Sequence, residues 1–209
     1  MNDIGIVDYG AGNIASVEQA FEYAGADIIR VKHPEEILKC QRLVLPGVGA
    51  AGEALQHIRN NSIDEALIEM IQVKGVPTFG ICLGMQILAD KLYEFGEHDG
   101  LGFIPGEVVR IDNVVKNALK IPHMGWNRVN FEIDNKFYNS RKSSRKEFYF
   151  AHSYTFRVKE KNHIAAFVDY PEPLVAAVQL KNIFASQFHP EKSQIAGDNL
   201  IQAFLDWAP

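Results

Sequence analysis

Cysteine is scarce in this 209-residue chain: Cys40 and Cys82 are the only two. Two thiols without zinc-type spacing exclude a disulfide framework and a cysteine-based metal module, and they suit a reducing cytoplasm. Positive charge is not in excess either. The formal net charge is −5, which argues against a general nucleic-acid binder, because phosphate affinity needs a basic surface. No apolar run approaches the ~20 residues that a membrane helix requires, and the first residues lack the basic and apolar blocks of a signal peptide. Repeats and low-complexity tracts are absent. With 47% hydrophobic and 22% charged residues, the chain has the profile of a soluble globular protein, expected to be cytoplasmic and to form a single domain over residues 1–209.

Apolar segments of strand length alternate with helical patterns as far as about residue 95. Ile4–Asp8, Ile28–Val31 and Leu43–Leu45 read as strands. Val17, Ala20, Phe21 and Ala24 mark a helix stopped by Gly25, and Ala51–Arg59 and Ile63–Val73 carry two more. The second half changes to short strand-like runs separated by turns: 101–104, 108–111, 129–133, 148–150, 154–158, 164–168, 175–180 and 183–186, with Lys181-Asn182 as a tight turn, before a final helix from about Gln194 to Trp207. The fold class expected is α/β: a mostly parallel open sheet covered by helices on both faces, with an antiparallel strand extension in the C-terminal half. The basic stretch Asn135–Lys146 reads as a solvated hairpin loop.

The most informative stretch is Thr78-Phe79-Gly80-Ile81-Cys82-Leu83-Gly84-Met85-Gln86. An apolar strand runs into Gly-x-Cys-x-Gly, and Met85, Leu88, Ala89 and Leu92 continue at helical spacing. This is the thiol counterpart of the strand–turn–helix elbow that exposes a nucleophilic serine. Glycines on either side let strand and helix approach closely, and a thiol at a helix N-terminus is favoured as thiolate. A free cysteine is also often a small buried hydrophobe, so the chemical reading needs partners. A nucleophilic thiol requires a base, and the base an orienting group. Of seven histidines, His189 ends an apolar run and is followed by Pro190 and Glu191. At i and i+2 on an extended chain, Glu191 can accept a hydrogen bond from His189. Pro46-Gly47-Val48-Gly49, at the end of another strand, can supply a backbone N–H to an oxyanion hole together with that of Leu83. No cluster has metal-ligand spacing, so neither metal nor cofactor is expected.

With the elbow 80–84, the segment 46–49 and the late His189-Pro190-Glu191 in this order, the chain resembles the class-I, triad-type glutamine amidotransferases. Within them it is most similar to the branch of glutaminase subunits of imidazole glycerol phosphate synthase. That similarity is carried by Asp8-Tyr9-Gly10-Ala11-Gly12-Asn13, Pro122-His123-Met124-Gly125-Trp126-Asn127 and Phe188-His189-Pro190-Glu191-Lys192. The resemblance implies that Cys82 attacks the glutamine carboxamide, that His189 carries the proton to ammonia, that Glu191 orients His189, and that Gly47, Val48 and Leu83 hold the oxyanion. It implies glutamine-binding roles for Gln86, Glu94, His152, Ser153 and Tyr154, with Gln86 and Glu94 sharing one helix face. Ammonia would pass to a (β/α)₈-barrel cyclase subunit in a heterodimer, faced by Asn13, His123, Met124, Trp126 and Lys192. Apart from the resemblance, Pro122–Asn127 reads as a loop with one buried Trp. Two departures stand out: Ala51 sits where a bulkier residue is usual, and the 135–146 loop is long. A related subunit supplying ammonia for surface-sugar amidination, and a stand-alone γ-glutamyl cysteine hydrolase, share the same triad.

Overall fold

The structure, a computed structural model, describes residues 4–116, 120–132, 137 and 146–209. In chain order the elements are β1 (Ile4–Val7), α1 (Ile14–Tyr23), β2 (Ile28–Val31), α2 (Pro34–Ile37), β3 (Arg42–Leu45), α3 (Ala51–Asn60), α4 (Ile63–Ile68), β4 (Thr78–Ile81) and α5 (Leu83–Gln86). There follow β5 (Lys91–Leu92), β6 (His98–Asp99), β7 (Gly106–Arg110), β8 (His123–Phe131), β9 (Glu147–His152), β10 (Tyr154–Val158), β11 (Ile164–Asp169), β12 (Pro173–Leu180), β13 (Ile183–Ser186) and α6 (Gln194–Asp206). Among the described residues no helix is long and apolar enough to cross a membrane.

Nine strands form one sheet in the order β2-β1-β3-β4-β13-β12-β11-β8-β9. From β2 to β13 every pairing is parallel, and from β13 to β9 every pairing is antiparallel. The apolar runs of the central strands are continuous because both faces are covered. Alternation sends Leu43 and Leu45 into one core with Leu55, Ile58 and Leu67 of α3 and α4. It sends Val44, Phe79 and Ile81 into the other, with Val17 and Phe21 of α1 and Phe204 of α6.

Four expectations are corrected. The antiparallel strands do not all extend the main sheet: β10, β7, β5 and β6 form a second one, with β5 and β7 parallel. The chain passes from β9 in the large sheet to β10 in the small one at Ser153 alone. The helix after Cys82 is a single turn ending at Gln86. Beyond it the carbonyls of Ile87, Leu88 and Ala89 accept N–H groups from Leu101, Gly102, Phe103 and Ile104 instead of from a next helical turn. Leu92 is therefore in a strand, and 101–104 is the loop that caps the turn rather than a strand of its own. Finally, 123–127 is not a loop: it opens β8, paired with β9 from His123↔His152 to Arg128↔Glu147, and Trp126 is 49% exposed. Pairing with a distant strand outweighs the local Gly and polar signals. Most of the basic stretch 135–146 lies outside the described residues.

Candidate active site

Parallel strands that end together concentrate their loops at one sheet edge. Leu45 is in register with Gly80, and Ser186 with Ile81. The next residues of the three strands, Pro46-Gly47, Cys82 and Gln187, therefore meet at one edge. Cys82 has φ 53° and ψ −105°, a conformation that turns the chain abruptly from β4 into α5 and is disfavoured for a residue with a Cβ. Neighbouring contacts hold it there. Its N–H donates to Ser186 O at 2.7 Å, and its carbonyl accepts from Met85 and Gln86 at 3.0 and 3.2 Å. A Cβ on Gly84 would lie 1.7 Å from the Leu45 carbonyl oxygen, so only glycine permits this approach of α5 to β3.

His189 reaches the thiol from the segment after β13. Its N–H donates to Tyr149 O at 2.9 Å, its carbonyl accepts from Ser193 Oγ, and α6 packs against the Pro190 carbonyl at Gly197. Nδ1 of His189 lies 2.8 Å from Glu191 Oε1, and both side chains are buried. The contact is as expected but its route differs: Pro190–Lys192 is a 3₁₀ turn, which folds Glu191 back under the ring. Burial opposes a charge on His189. The hydrogen bonds to Cys82 and to Glu191, with the negative charges behind them, outweigh it and raise the imidazole to about 10. The site thus favours a charged imidazolium at His189, between the Cys82 and Glu191 side chains.

Gly47 and Leu83 meet, but not as open donors. The Leu83 N–H donates to Gly47 O at 3.2 Å, so this N–H is already taken by a main-chain carbonyl. Val48, 40% exposed, and Gly49, with φ 115°, follow. Tyr9, fully buried after β1, donates its hydroxyl to the Pro46 carbonyl and is pushed well up by burial and by the Cys82 charge.

Of the predicted glutamine ligands, His152, Ser153 and Tyr154 lie at the crossing between the two sheets. His152 is buried: its Nδ1 donates to Tyr154 O at 2.7 Å and its Nε2 accepts from His123 Nδ1 at 3.0 Å. Gln86 is also buried, its amide donating to Gln187 Oε1 at 2.9 Å and facing Tyr154 O at 3.4 Å. Glu94 does not share a helix with Gln86, since α5 has ended. Its carboxylate accepts the Ala51 N–H at 2.7 Å, beside a cleft of ≈ 600 Å³ lined by α3 and residues 94–99 that Cys82 does not border. The small Ala51 side chain is fully buried there.

The predicted partner-facing residues divide. Met124 is 64% exposed and Trp126 shares its side of β8. Asn13 and Lys192 are exposed too, the ammonium of Lys192 lying 5.7 Å from the Tyr149 ring centroid. His123 is not a surface residue: it is 2% exposed, stacked between Phe150 and Tyr170 at centroid distances of 4.5 and 4.0 Å. Adjacent strand residues point to opposite faces, so Met124 outward puts His123 inward. Two further buried residues lie at this edge: Tyr9, within the segment 8–13 quoted above, and Gln187, which carries no motif signal by itself. Gln187 stands two residues before His189, the spacing that places side chains on one side of an extended chain.

A family model for the class-I glutamine amidotransferases matches residues 5–206. The chain is 42% identical over 201 residues to the imidazole glycerol phosphate synthase subunit HisH 1 of Campylobacter jejuni strain 81-176, covering 96% of this chain and 98% of the relative. It is 42% identical over 213 residues to the subunit HisH of Rhodospirillum rubrum, covering 99% of each. Among solved structures, PurLQS from Thermotoga maritima superposes with a TM-score of 0.76 at 18% identity, covering 98% of this chain and 97% of that one, a likeness of fold. The buried thiol–imidazole–carboxylate array at the sheet edge agrees with a match that spans nearly the whole chain: this protein belongs to the class-I glutamine amidotransferases.

Proposed function

We propose that the chain, acting as one unit, is the glutaminase subunit of imidazole glycerol phosphate synthase in histidine biosynthesis. The observation that carries the chemistry is the Cys82–His189–Glu191 array: a buried imidazole held charged by its interactions with Cys82 and Glu191, with Glu191 2.8 Å behind the ring. The near full-length similarity to subunits of that name supports the pathway. The Cys82 thiolate adds to the carboxamide carbon of glutamine. As the tetrahedral intermediate collapses, the C–N bond breaks and the His189 imidazolium gives its proton to the departing nitrogen, releasing ammonia. Neutral His189 then takes a proton from water, whose oxygen attacks the thioester. The C–S bond breaks, glutamate leaves and the thiolate–imidazolium pair is restored. Glu191 fixes the ring and balances its charge throughout.

The closed oxyanion segment gives this reading a gate. With the Gly47 carbonyl on the Leu83 N–H, the intermediate lacks its donors. Turning the Gly47–Val48 peptide would withdraw the carbonyl and present the Val48 N–H. Ammonia goes to a (β/α)₈-barrel cyclase subunit, held as a heterodimer on the side of Asn13, Met124, Trp126 and Lys192. There it is used in forming imidazole glycerol phosphate and an aminoimidazole carboxamide ribotide. The test is glutamate release by the purified chain, alone and with the cyclase subunit loaded with its ribonucleotide substrate. Near-silence alone, strong release in the loaded complex and loss of both on Cys82→Ala are expected. Strong release by the chain alone would overturn the gate and point to an independent hydrolase. Release that survives Cys82→Ala would overturn the nucleophile.

A further inference from the structure

Gln187 is fully buried, and its Nε2 lies 3.6 Å from Cys82 Sγ, within hydrogen-bonding range for sulfur. Which end of the amide faces the sulfur is decided by the main chain. The Tyr154 carbonyl can only accept, so the Gln86 amide turned toward it at 3.4 Å presents its NH₂ group. That group's other hydrogen points at Gln187, which must answer with its oxygen, at 2.9 Å. Gln187 is left with its own NH₂ toward the sulfur. The Tyr154 carbonyl is itself held by His152 Nδ1 at 2.7 Å, and His152 by His123 at 3.0 Å. A continuous buried run of hydrogen bonds therefore joins β8 to the nucleophile through four side chains and one carbonyl.

We propose that Gln187 is a catalytic residue of the glutaminase reaction, its amide N–H donating to the Cys82 sulfur to hold it as an oriented thiolate, with Gln86 as the positioning residue behind it. This rests on the reading of Cys82 as nucleophile. A thiolate is the better hydrogen-bond acceptor, so the donor favours it over the thiol. In the thioester the sulfur has lost its charge and the bond weakens. When water attacks and the C–S bond breaks, the electron pair returns to sulfur and the bond is regained, which favours thiolate departure. Gln187 transfers no proton at any step.

The decisive measurement is the pH dependence of Cys82 alkylation by iodoacetamide, read at the Cys82 peptide by mass spectrometry, beside glutamate-release kinetics with the cyclase subunit bound. The other titratable groups facing this sulfur and its partner are His189 with Glu191 from the segment after β13, Tyr9 from the segment after β1, and His152 from β9. All are unchanged in the variants compared. Gln187→Met keeps the shape and removes the donor. Its alkylation midpoint is expected about one pH unit higher, with about tenfold slower alkylation at pH values below the wild-type midpoint and a fall in kcat of about tenfold, while KM for glutamine stays within about twofold. Gln187→Glu keeps shape and polarity, sets a second negative charge beside the thiolate and is expected to shift the midpoint further. It decides the matter if the Met variant does not fold. Folded variants with the wild-type midpoint and kcat would overturn the assignment of Gln187. Glutamate release persisting in Cys82→Ala would instead overturn the nucleophile on which that assignment rests.

Discussion

The His123–His152 pair makes acid stability a sensitive probe of this fold. Burial is the larger influence on both, holding His123 down to about 4 and His152 to about 3. Each is depressed below the value of an unfolded histidine, near 6.5. The stability they contribute is therefore fully present above about pH 6.5 and is lost as pH falls toward 4, because the unfolded chain takes up protons that the native pair refuses. Each such group contributes about 1.4 kcal/mol per pH unit, so the pair gives a slope of about 2.7 kcal/mol per unit. His189 does not mimic this effect. Raised to about 10, it is protonated in both states well below pH 6.5, and being the same in wild type and variant it drops out of their difference. The perturbation is His123→Phe, which keeps an aromatic plane between Phe150 and Tyr170 but leaves His152 Nε2 without its donor. At neutral pH the variant should lose about 1–3 kcal/mol, the cost of a buried unsatisfied polar atom. Between about pH 6 and 4 its slope should fall by about 1.4 kcal/mol per unit, one histidine fewer. The assay is urea unfolding by circular dichroism at a series of pH values. Surface carboxylates titrate alike in both proteins and cancel in the difference. Parallel stability curves for wild type and variant would refute the reasoning.

Three further outcomes are expected. Gly84→Ala sets a methyl group against the Leu45 carbonyl, so β3 and α5 must separate; a stability loss of about 3 kcal/mol or more and loss of glutamate release should follow, checked by thermal melting and glutamate assay. Glu191→Gln removes the carboxylate that helps raise His189. Wild-type stability from that group is present below about pH 6.5 and lost as pH rises through about 10, so the difference in melting temperature between the two proteins should shrink over that window, with kcat down on the order of 10²-fold. A difference in melting temperature that is constant with pH would show that the pair is not electrostatically linked. Met124→Glu places a charge on the exposed face of β8 and should weaken the complex with the cyclase subunit by about tenfold or more in calorimetric titration, with the melting of the isolated chain little changed; an unaltered Kd would move the interface elsewhere.

What the sequence determined alone was local and chemical. The continuous apolar runs at 4–8 and 43–45, and the Gly-x-Cys-x-Gly at 80–84, specify buried strands and a sharp elbow, because steric exclusion and period-two burial act over a few residues. His189-Pro190-Glu191 likewise contains its own hydrogen bond. Tertiary structure decided what depends on distant partners. The helix after Cys82 stops after one turn because loop 101–104 takes its carbonyls, which also removes Glu94 from the helix of Gln86. His123 is buried because β9 pairs with β8 and aromatic side chains from separate elements close over it. Gln187 meets Cys82 because β13 and β4, about 100 residues apart in the chain, end in register. A hydrogen bond across that separation leaves no periodic trace along the chain, so the residues behind the nucleophile become visible only when the sheet is assembled.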